Sequence, residues 1–241
     1  MSVTPYGTGQ NKKEEVKQMF DSIAGSYDFL NHALSLSIDK TWRRRLIKEL
    51  GKSKPARILD VATGTGDLAL AALRLEPELI TGVDIATGML EIGRKKILAR
   101  GEEDRIRMIE GDSEDLPIKS GDYDAVMVAF GVRNFEDPLK GLSEMNRILM
   151  PGGSVAVLEF TMPLHFPIRP LYRFYFKKIL PLVGKIISKD FSAYRYLPDS
   201  VEAFAQREDF VIMMEGAGFE LVKYRTQSFG IAAIYFGVKP G

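Results

Sequence analysis

The chain of 241 residues contains no cysteine, only two histidines and a single tryptophan. The absence of cysteine excludes disulfides, a thiolate nucleophile and the common cysteine-containing structural zinc sites. Charge of one sign is not in excess either, because 33 lysines and arginines stand against 32 acidic residues and the net charge is +1. The sequence therefore predicts no metal site and no overall field that would attract nucleic acid.

Long apolar runs are also lacking. No uncharged run approaches the ~20 residues that a membrane-spanning helix needs, and the N-terminus has no basic segment followed by an apolar one. With 45% hydrophobic residues, the chain is long enough for one α/β domain with a substantial core. We expect a single cytoplasmic domain over residues 1–241, and the sequence leaves open whether it forms a homodimer.

One stretch near the first quarter of the chain carries most of the functional signal. Ile58, Leu59 and Val61 read as a short buried strand, and a glycine turn separates them from the helix-forming run 68–75. A strand, a glycine turn and a helix form the first half of a nucleotide-binding βαβ unit. Glycine suits this turn because the backbone must approach the ligand in conformations that a Cβ would obstruct.

The residues around the turn indicate which nucleotide binds. Only Gly64 and Gly66 are present where a dinucleotide fingerprint has three glycines, and Asp60 would repel a pyrophosphate but favour a cationic ligand. Asp84, eighteen residues after Gly66, can accept hydrogen bonds from ribose hydroxyls. The pattern resembles S-adenosylmethionine (SAM) methyltransferases, although a lone Gly-x-Gly also fits an ordinary tight turn.

Further polar residues follow the ends of the later predicted strands. Asp112 can accept a hydrogen bond from the amine of adenine, or it can be a cap or turn residue. Arg133 and Glu159 lie just past two more apolar runs. Since carboxyl ends of parallel strands share one edge, we expect these side chains to meet there. The residues predicted to bind SAM are Asp60, Thr63, Gly64, Gly66, Asp84, Asp112 and Ser113.

Apolar runs alternate with helical patterns along most of the chain. This order predicts an α/β fold with a doubly wound, mostly parallel, seven-stranded, Rossmann-like sheet, closed by two antiparallel strands near the C-terminus. Residues 1–54 precede the nucleotide fold as helices and are free to act as a lid that excludes water. Tyr27 and Asn31 in that part either line the site or merely pack and cap a helical hairpin.

Residues 164–200 depart from this alternation after the fifth predicted strand. They carry seven lysines and arginines against Asp190 and Asp199, a balance of 7 − 2 = +5, together with eight aromatic residues. Basic residues interleaved with aromatics suit single-stranded nucleic acid or an anionic membrane surface, and the apolar run 180–183 favours lipid. An ordinary helical insert with a solvated basic face remains the alternative.

Four motifs together are similar to the ubiquinone/menaquinone biosynthesis C-methyltransferases, over essentially the whole length. They comprise Tyr27, Asp28, Asn31, Leu34, Ser35 and Trp42, then Gly131–Asn134, then Arg147, Pro151–Gly153, Leu158 and Glu159, and last Ser192–Leu197. Three positions depart from the family pattern: Asp39 stands where histidine is usual, Met150 replaces a basic residue and Thr161 replaces serine. The departure at Asp39 puts the identity of the catalytic base in doubt.

The resemblance implies methylation of a ring carbon in a reduced, polyprenylated demethylmenaquinol, with the ubiquinone precursor left open as a second acceptor. Arg133 would hold the phenolate and Asn134 would orient it, and Tyr27, Asp39 and His32 are the alternatives for the proton acceptor. The enzyme would contact the inner face of the membrane transiently through residues 164–200. Two other functions remain open: SAM-dependent methylation of oxygen or nitrogen on a soluble substrate, and a non-catalytic SAM- or RNA-binding module.

Overall fold

A computed structural model describes residues 3–35, 37–179 and 191–241. Its centre is a seven-stranded sheet of order β3-β2-β1-β4-β5-β7-β6. The strands are β1 (Arg57–Val61), β2 (Leu79–Asp84), β3 (Ile106–Glu110), β4 (Tyr123–Ala129), β5 (Leu149–Phe160), β6 (Glu220–Gln227) and β7 (Ala232–Val238). β1 to β5 are parallel, and β7 pairs antiparallel with β5 and β6. The predicted doubly wound, mostly parallel sheet is confirmed.

Helices cover both faces of this sheet. They are α1 (Lys12–Leu34), α2 (Ile38–Leu50), α3 (Asp67–Ala72), α4 (Thr87–Leu98), α5 (Pro138–Ile148), α6 (Ile168–Phe174), α7 (Phe191–Ala203) and α8 (Glu208–Gly216). Helices α2, α3 and α4 pack on one face around Ile58, and α5 and α8 pack on the other around Leu59. Neighbouring residues of β1 point to opposite faces, so burial on both sides makes this strand apolar after Arg57 at its start, except for Asp60.

The N-terminal helix α1 lies across the carboxyl edge of the sheet. The Lys12 ammonium donates to the carbonyl oxygens of Arg133 and Phe135, at 2.8 and 2.7 Å, just beyond β4. Lys17 reaches Glu110 at the end of β3, and Asp28 accepts from the Thr65 hydroxyl in the glycine turn. These contacts hold the predicted helical N-terminal part over the edge where ligands bind in such folds.

The predicted insert after β5 is helical where the structure describes it. α6 continues into a π-helix (Tyr175–Ile179), and α7 begins at Phe191. The apolar run 180–183, which the sequence suggested for lipid contact, lies outside the described residues. A serine at position 200 before a helical pattern predicts a helix start, but Ser200 lies inside α7 and donates to the Leu197 carbonyl. Among the helices of the described part, none has the length and apolarity needed to cross a membrane.

Candidate active site

The glycine turn between β1 and α3 is fixed by two carboxylates. The Thr63 hydroxyl donates to Asp60 Oδ2 at 2.6 Å, and the Gly64 N–H donates to Asp84 Oδ2 at 2.7 Å. Asp84 Oδ1 also accepts from the Ala86 N–H at 2.9 Å. Gly64 and Gly66 have φ of 57° and 78°, a region that side chains disfavour. The two acids predicted at the ends of β1 and β2 therefore shape the turn between them.

The first of three cavities, cavity A, opens beside this turn. Five residues predicted to bind or orient a ligand line it: Gly64, Asp84, Asp112, Ser113 and Asn134. Its other walls are largely apolar, with Val16, Val83, Ile85, Met89 and Phe135. A carboxylate at the end of β2, bare backbone at Gly64 and flat apolar walls suit a ribose joined to a purine ring. Gly66 does not line cavity A; it lies at the end of the turn, directly before α3.

Asp112 differs from the simple adenine acceptor that the sequence suggested. Its Oδ2 forms an ion pair with the Lys13 ammonium of α1 at 2.5 Å, and its Oδ1 accepts from the Glu114 N–H at 2.9 Å. Lys13 also lies 3.4 Å from Glu114. Asp112 is thus a turn residue that also borders cavity A and ties α1 to its rim, and its contact with adenine stays a prediction.

Cavity B continues from cavity A along the glycine turn and is strongly polar. Asp60, Thr63, Arg43 and Asp67 line it, together with Tyr27. Burial raises the pKa of Asp60 to about 7, although the bond from Thr63 and the charge of Arg43 oppose this. A nearby cation would favour the ionised form and recover the lost solvation. The charges in cavity B therefore suit a ligand group that carries both an ammonium and a carboxylate.

Arg43 is a site residue that the sequence interpretation missed, because the helical spacing of Trp42, Leu46 and Leu50 predicts an outward position for it on α2. It is instead buried, and its Nη1 lies 3.1 Å from Asp39 Oδ2 and 3.1 Å from Asp67 Oδ2. Lys96 completes this network by binding Asp67 and Asp28. Asp39 precedes Arg43 by four residues on the same helix, and this spacing was the available signal.

Cavity C lies on the other side of Tyr27, between α1, α2 and α7. Asn31, Asp39, Arg43 and Arg133 line it among apolar groups that include Phe160 and Leu197. Asp39 is 3% exposed, and its Oδ1 accepts from the Ser35 hydroxyl at 2.7 Å. The structure therefore brings three predicted catalytic residues, Tyr27, Asp39 and Arg133, into one cavity. The side chain of His32, the third candidate base, lies outside those described.

Arg133 is held rigidly at the wall of cavity C. Its Nη1 donates to Glu159 Oε1 at 2.8 Å and to the Phe130 carbonyl, and its guanidinium lies 5.4 Å from the Phe160 ring centroid. Within the described part of the chain, its buried Nε has no hydrogen-bond partner. Asn134 Nδ2 also donates to the Phe130 carbonyl, and this residue borders cavity A rather than cavity C.

A thin aromatic wall divides cavity A from cavity C. Phe20, Tyr27 and Phe130 line both cavities, and Tyr27 lines cavity B as well. Tyr27 packs edge-on to Phe20 with ring centroids 5.8 Å apart. Burial raises the pKa of Tyr27, although its hydrogen bond with Asn31 opposes the shift. Its phenol therefore stays neutral at physiological pH, at the junction of all three cavities.

This sheet order, with an acid-flanked glycine turn beside a ribose-sized cleft, defines the class I SAM-dependent methyltransferases. A solved SAM-dependent methyltransferase from Thermotoga maritima, described as a possible histamine N-methyltransferase, has the same fold. Its TM-score is 0.60 at 22% identity, over 93% of this chain and 99% of its own.

The chain belongs to the ubiE/COQ5 methyltransferase family, whose model matches residues 8–239. A demethylmenaquinone methyltransferase of Bacteroides fragilis is 45% identical over 98% of this chain and 97% of its own length. Another, of Thermus thermophilus, is 48% identical over 92% of this chain and 100% of its own. The protein is thus a SAM-dependent C-methyltransferase of quinone biosynthesis, and SAM is its methyl donor.

Proposed function

We propose that this enzyme methylates a ring carbon of a reduced, polyprenylated demethylmenaquinone. The observation that carries the proposal is the shared wall of Phe20, Tyr27 and Phe130 between cavity A, the nucleotide-type cleft, and cavity C, which holds Arg133 and Asp39. Methyl transfer needs donor and acceptor aligned within contact distance and shielded from water. Two cavities that meet at a thin wall provide that arrangement for a flat aromatic acceptor.

The donor fits cavities A and B through its three chemical parts. Adenine would lie between the apolar walls of cavity A with its amine toward Asp112, and the ribose hydroxyls would donate to Asp84. The amino-acid end would enter cavity B, with its ammonium near Asp60 and its carboxylate near Arg43. When bound, SAM supplies an electrophilic methyl group on a sulfonium.

The acceptor would enter cavity C with one ring oxygen near Arg133. Loss of the proton from that oxygen spreads negative charge onto the ortho ring carbon, which then forms the new carbon–carbon bond. The carbon–sulfur bond would break with its electron pair left on the sulfur, and the ring carbon would release its proton to water to restore aromaticity. Arg133 stabilises the phenolate, with its charge fixed in place by Glu159.

Asp39 is our candidate for accepting the phenol proton. It lines cavity C as a buried carboxylate, whereas burial keeps the Tyr27 phenol protonated and unsuited to act as a base. The contacts of Asp39 with Ser35 and Arg43 hold it in one orientation. In this arrangement Tyr27 orients the reacting groups, and Asn134 holds the turn after β4 through the Phe130 carbonyl.

Helix α1 would act as the lid of the site. The ion pair of Lys13 with Asp112 and the bonds from Lys12 to the Arg133 and Phe135 carbonyls join it to the rim of cavity A. Burial, and next the charge of Arg133, lowers the pKa of Lys12 to about 8. Exchange of a ligand as large as SAM would require these contacts to open.

Contact with the membrane would occur through the insert. Phe166, Leu171 and Phe174 are 87%, 62% and 60% exposed, and Arg169 and Lys178 are exposed beside them. A polyprenyl quinol stays in the bilayer, so its enzyme has to reach the acyl–headgroup boundary. Exposed large apolar residues interleaved with cations are suited to an anionic leaflet.

The proposal is tested by incubating the enzyme with methyl-labelled SAM and chemically reduced demethylmenaquinone in detergent. We expect the label on a ring carbon, as located by fragmentation in a mass spectrometer. Parallel reactions with the ubiquinone precursor determine whether it is a second acceptor. A label on oxygen, or turnover restricted to water-soluble acceptors, would favour the alternative methyltransferase activity and reject this one.

A further inference from the structure

Tyr196 is a buried residue of α7 whose hydroxyl has no evident structural role. The residue is 3% exposed, and none of the described residues offers its hydroxyl a hydrogen bond. It lies on the wall of cavity C with Ala193 and Leu197, which flank it on the same helix. Buried hydroxyls almost always have a partner, so a bare one beside a substrate cavity indicates a partner that arrives with the substrate.

The ring of Tyr196 is fixed in place by the lid helix. It packs in one cluster with Val16, Met19 and Ile23 of α1 and with Ala193. A side chain held on its flat faces keeps its hydroxyl in a nearly constant position. Phenylalanine would satisfy this packing equally well, so packing does not account for the hydroxyl.

Arg133 lines the same cavity, and its Nε, like the Nε of Arg43 in that cavity, also lacks an acceptor in the described part of the structure. Its charge acts on Tyr196, where burial raises the pKa to about 12 and Arg133 opposes that shift. The phenol of Tyr196 therefore remains protonated and able to donate. Several hydrogen-bond donors without acceptors at one cavity, two of them on guanidinium groups, match an anionic oxygen far better than a hydroxyl or an amine.

We propose that the Tyr196 hydroxyl donates a hydrogen bond to the ionised ring oxygen of the acceptor, alongside Arg133 Nε. This inference rests on the proposed quinol methyltransferase activity and adds a catalytic residue to it. Helix α7, part of the basic aromatic insert, is then a wall of the active site as well as part of a surface segment.

The test compares Tyr196→Phe with Tyr172→Phe. Tyr172 is also a buried tyrosine whose hydroxyl lacks a partner among the described groups, but it does not line cavity C. We expect Tyr196→Phe to lower kcat by about 10- to 100-fold with KM for SAM unchanged, because a donor to a developing anion is lost. The rise of its kcat with pH should also lie at higher pH than the rise in the wild type, because the substrate phenolate is less stabilised. Tyr172→Phe should change neither quantity.

A binding measurement separates this role from a structural one. Calorimetry with S-adenosylhomocysteine present should show 1-naphthol binding about tenfold more weakly to Tyr196→Phe at alkaline pH, with naphthalene binding unchanged. Equal losses for both ligands, an unshifted pH profile, or equal effects of the two tyrosine variants would overturn the inference. If the wild type methylates no quinol at all, the proposed function fails instead, and the two failures are distinguishable.

Discussion

Arg133 Nη1 and Glu159 Oε1 lie 2.8 Å apart at the wall of cavity C, with side chains 7% and 2% exposed. Such a pair is costly to desolvate, and its attraction offsets that cost only when geometry is good and further hydrogen bonds are made. Here Glu159 Oε1 also accepts from the Phe160 N–H, and Arg133 Nη1 also donates to the Phe130 carbonyl. The ion pair therefore holds the Arg133 guanidinium, with its Nε without a partner among the described residues, at a fixed place on the cavity wall.

Replacing Arg133 alone should damage both folding and catalysis. Arg133→Ala leaves Glu159 buried without its partner, and we expect the free energy of unfolding to fall by about 3–5 kcal/mol. The double variant Arg133→Ala with Glu159→Gln removes the stranded charge and should recover much of this loss. Urea unfolding of the wild type and both variants measures the difference.

The same double variant isolates the catalytic part. With folding restored, its kcat should still be about 10²–10³-fold below the wild type, because the stabilisation of the phenolate is gone. SAM affinity should remain nearly intact. A stable double variant with normal kcat would show that Arg133 serves only the fold.

Asp84→Ala should weaken SAM binding by about 1.5–3 kcal/mol, through the loss of a charge-assisted acceptor. Asp84 also accepts from the Gly64 N–H, so part of the effect would come from a loosened turn. Asp124→Ala is the matched control, because Asp124 accepts from the Ala56 and Arg57 N–H groups far from the cleft. Calorimetry that gives both variants the same SAM affinity would remove Asp84 from the site.

SAM affinity should rise with pH through about 7. Burial raises the pKa of Asp60 to about 7, so its carboxylate is largely protonated at pH 6 and largely ionised at pH 8. A cationic ligand group prefers the ionised form, so binding tightens as the proton leaves, by up to about tenfold per pH unit below the pKa. Calorimetric titrations at several pH values from 6 to 8 measure this slope.

Asp60→Asn supplies the control, since it cannot ionise. The slope that remains in this variant belongs to other groups, Asp84 among them, whose pKa burial also raises. The free energy of unfolding of the ligand-free protein should depend on pH with the opposite sign to SAM affinity. The folded state holds the Asp60 proton more tightly than the unfolded state, so the free energy of unfolding should fall as pH rises from about 4 to about 7. An unchanged affinity slope in Asp60→Asn would contradict the role of Asp60.

Binding to anionic vesicles should weaken as the salt concentration rises, and the binding that remains at high salt should come from apolar contacts. Each basic residue near an anionic leaflet contributes about 1 kcal/mol, which salt screens, whereas apolar burial is not screened. Because Lys177 pairs with Glu202 at 3.0 Å, the charge reversals are better placed at Arg169 and Lys178. Arg169→Glu with Lys178→Glu should reduce the salt-sensitive part of co-sedimentation.

Phe166→Ser with Leu171→Ser should remove the vesicle binding that salt does not weaken. It should also slow turnover of long-chain quinol in vesicles and leave turnover of a short-chain analogue unchanged. Ile212→Ser with Leu221→Ser is the control, since these residues are similarly exposed, at 65% and 80%, outside the insert. If both pairs reduce vesicle binding alike, general surface hydrophobicity is responsible. If both substrates slow equally, the insert serves the pocket rather than the membrane.

Much of the fold could be predicted because its signals are local. The alternation of strands and helices, the glycine turn and the Asp137–Pro138 helix start all depend on residues close in sequence, and Asp137 does cap α5 through the Lys140 N–H. The predicted bounds of the strands were less accurate. The apolar run from Ser154 predicts a strand that begins there, but β5 begins at Leu149, because Leu149 already pairs with Tyr123 of β4. Residues 151–153 form an irregularity before Ser154 pairs with Ala125 and Val238.

The sequence by itself determined the carboxyl edge and its acids, because parallel strands bring their ends together whatever fills the rest of the core. The tertiary structure decided which side chains face which cavity. Arg43 points inward to Asp67, Lys13 contacts Asp112, and Tyr196 of the insert lines cavity C. Each depends on the packing of one helix against elements far away in sequence, and side-chain direction there follows from those contacts rather than from any local pattern.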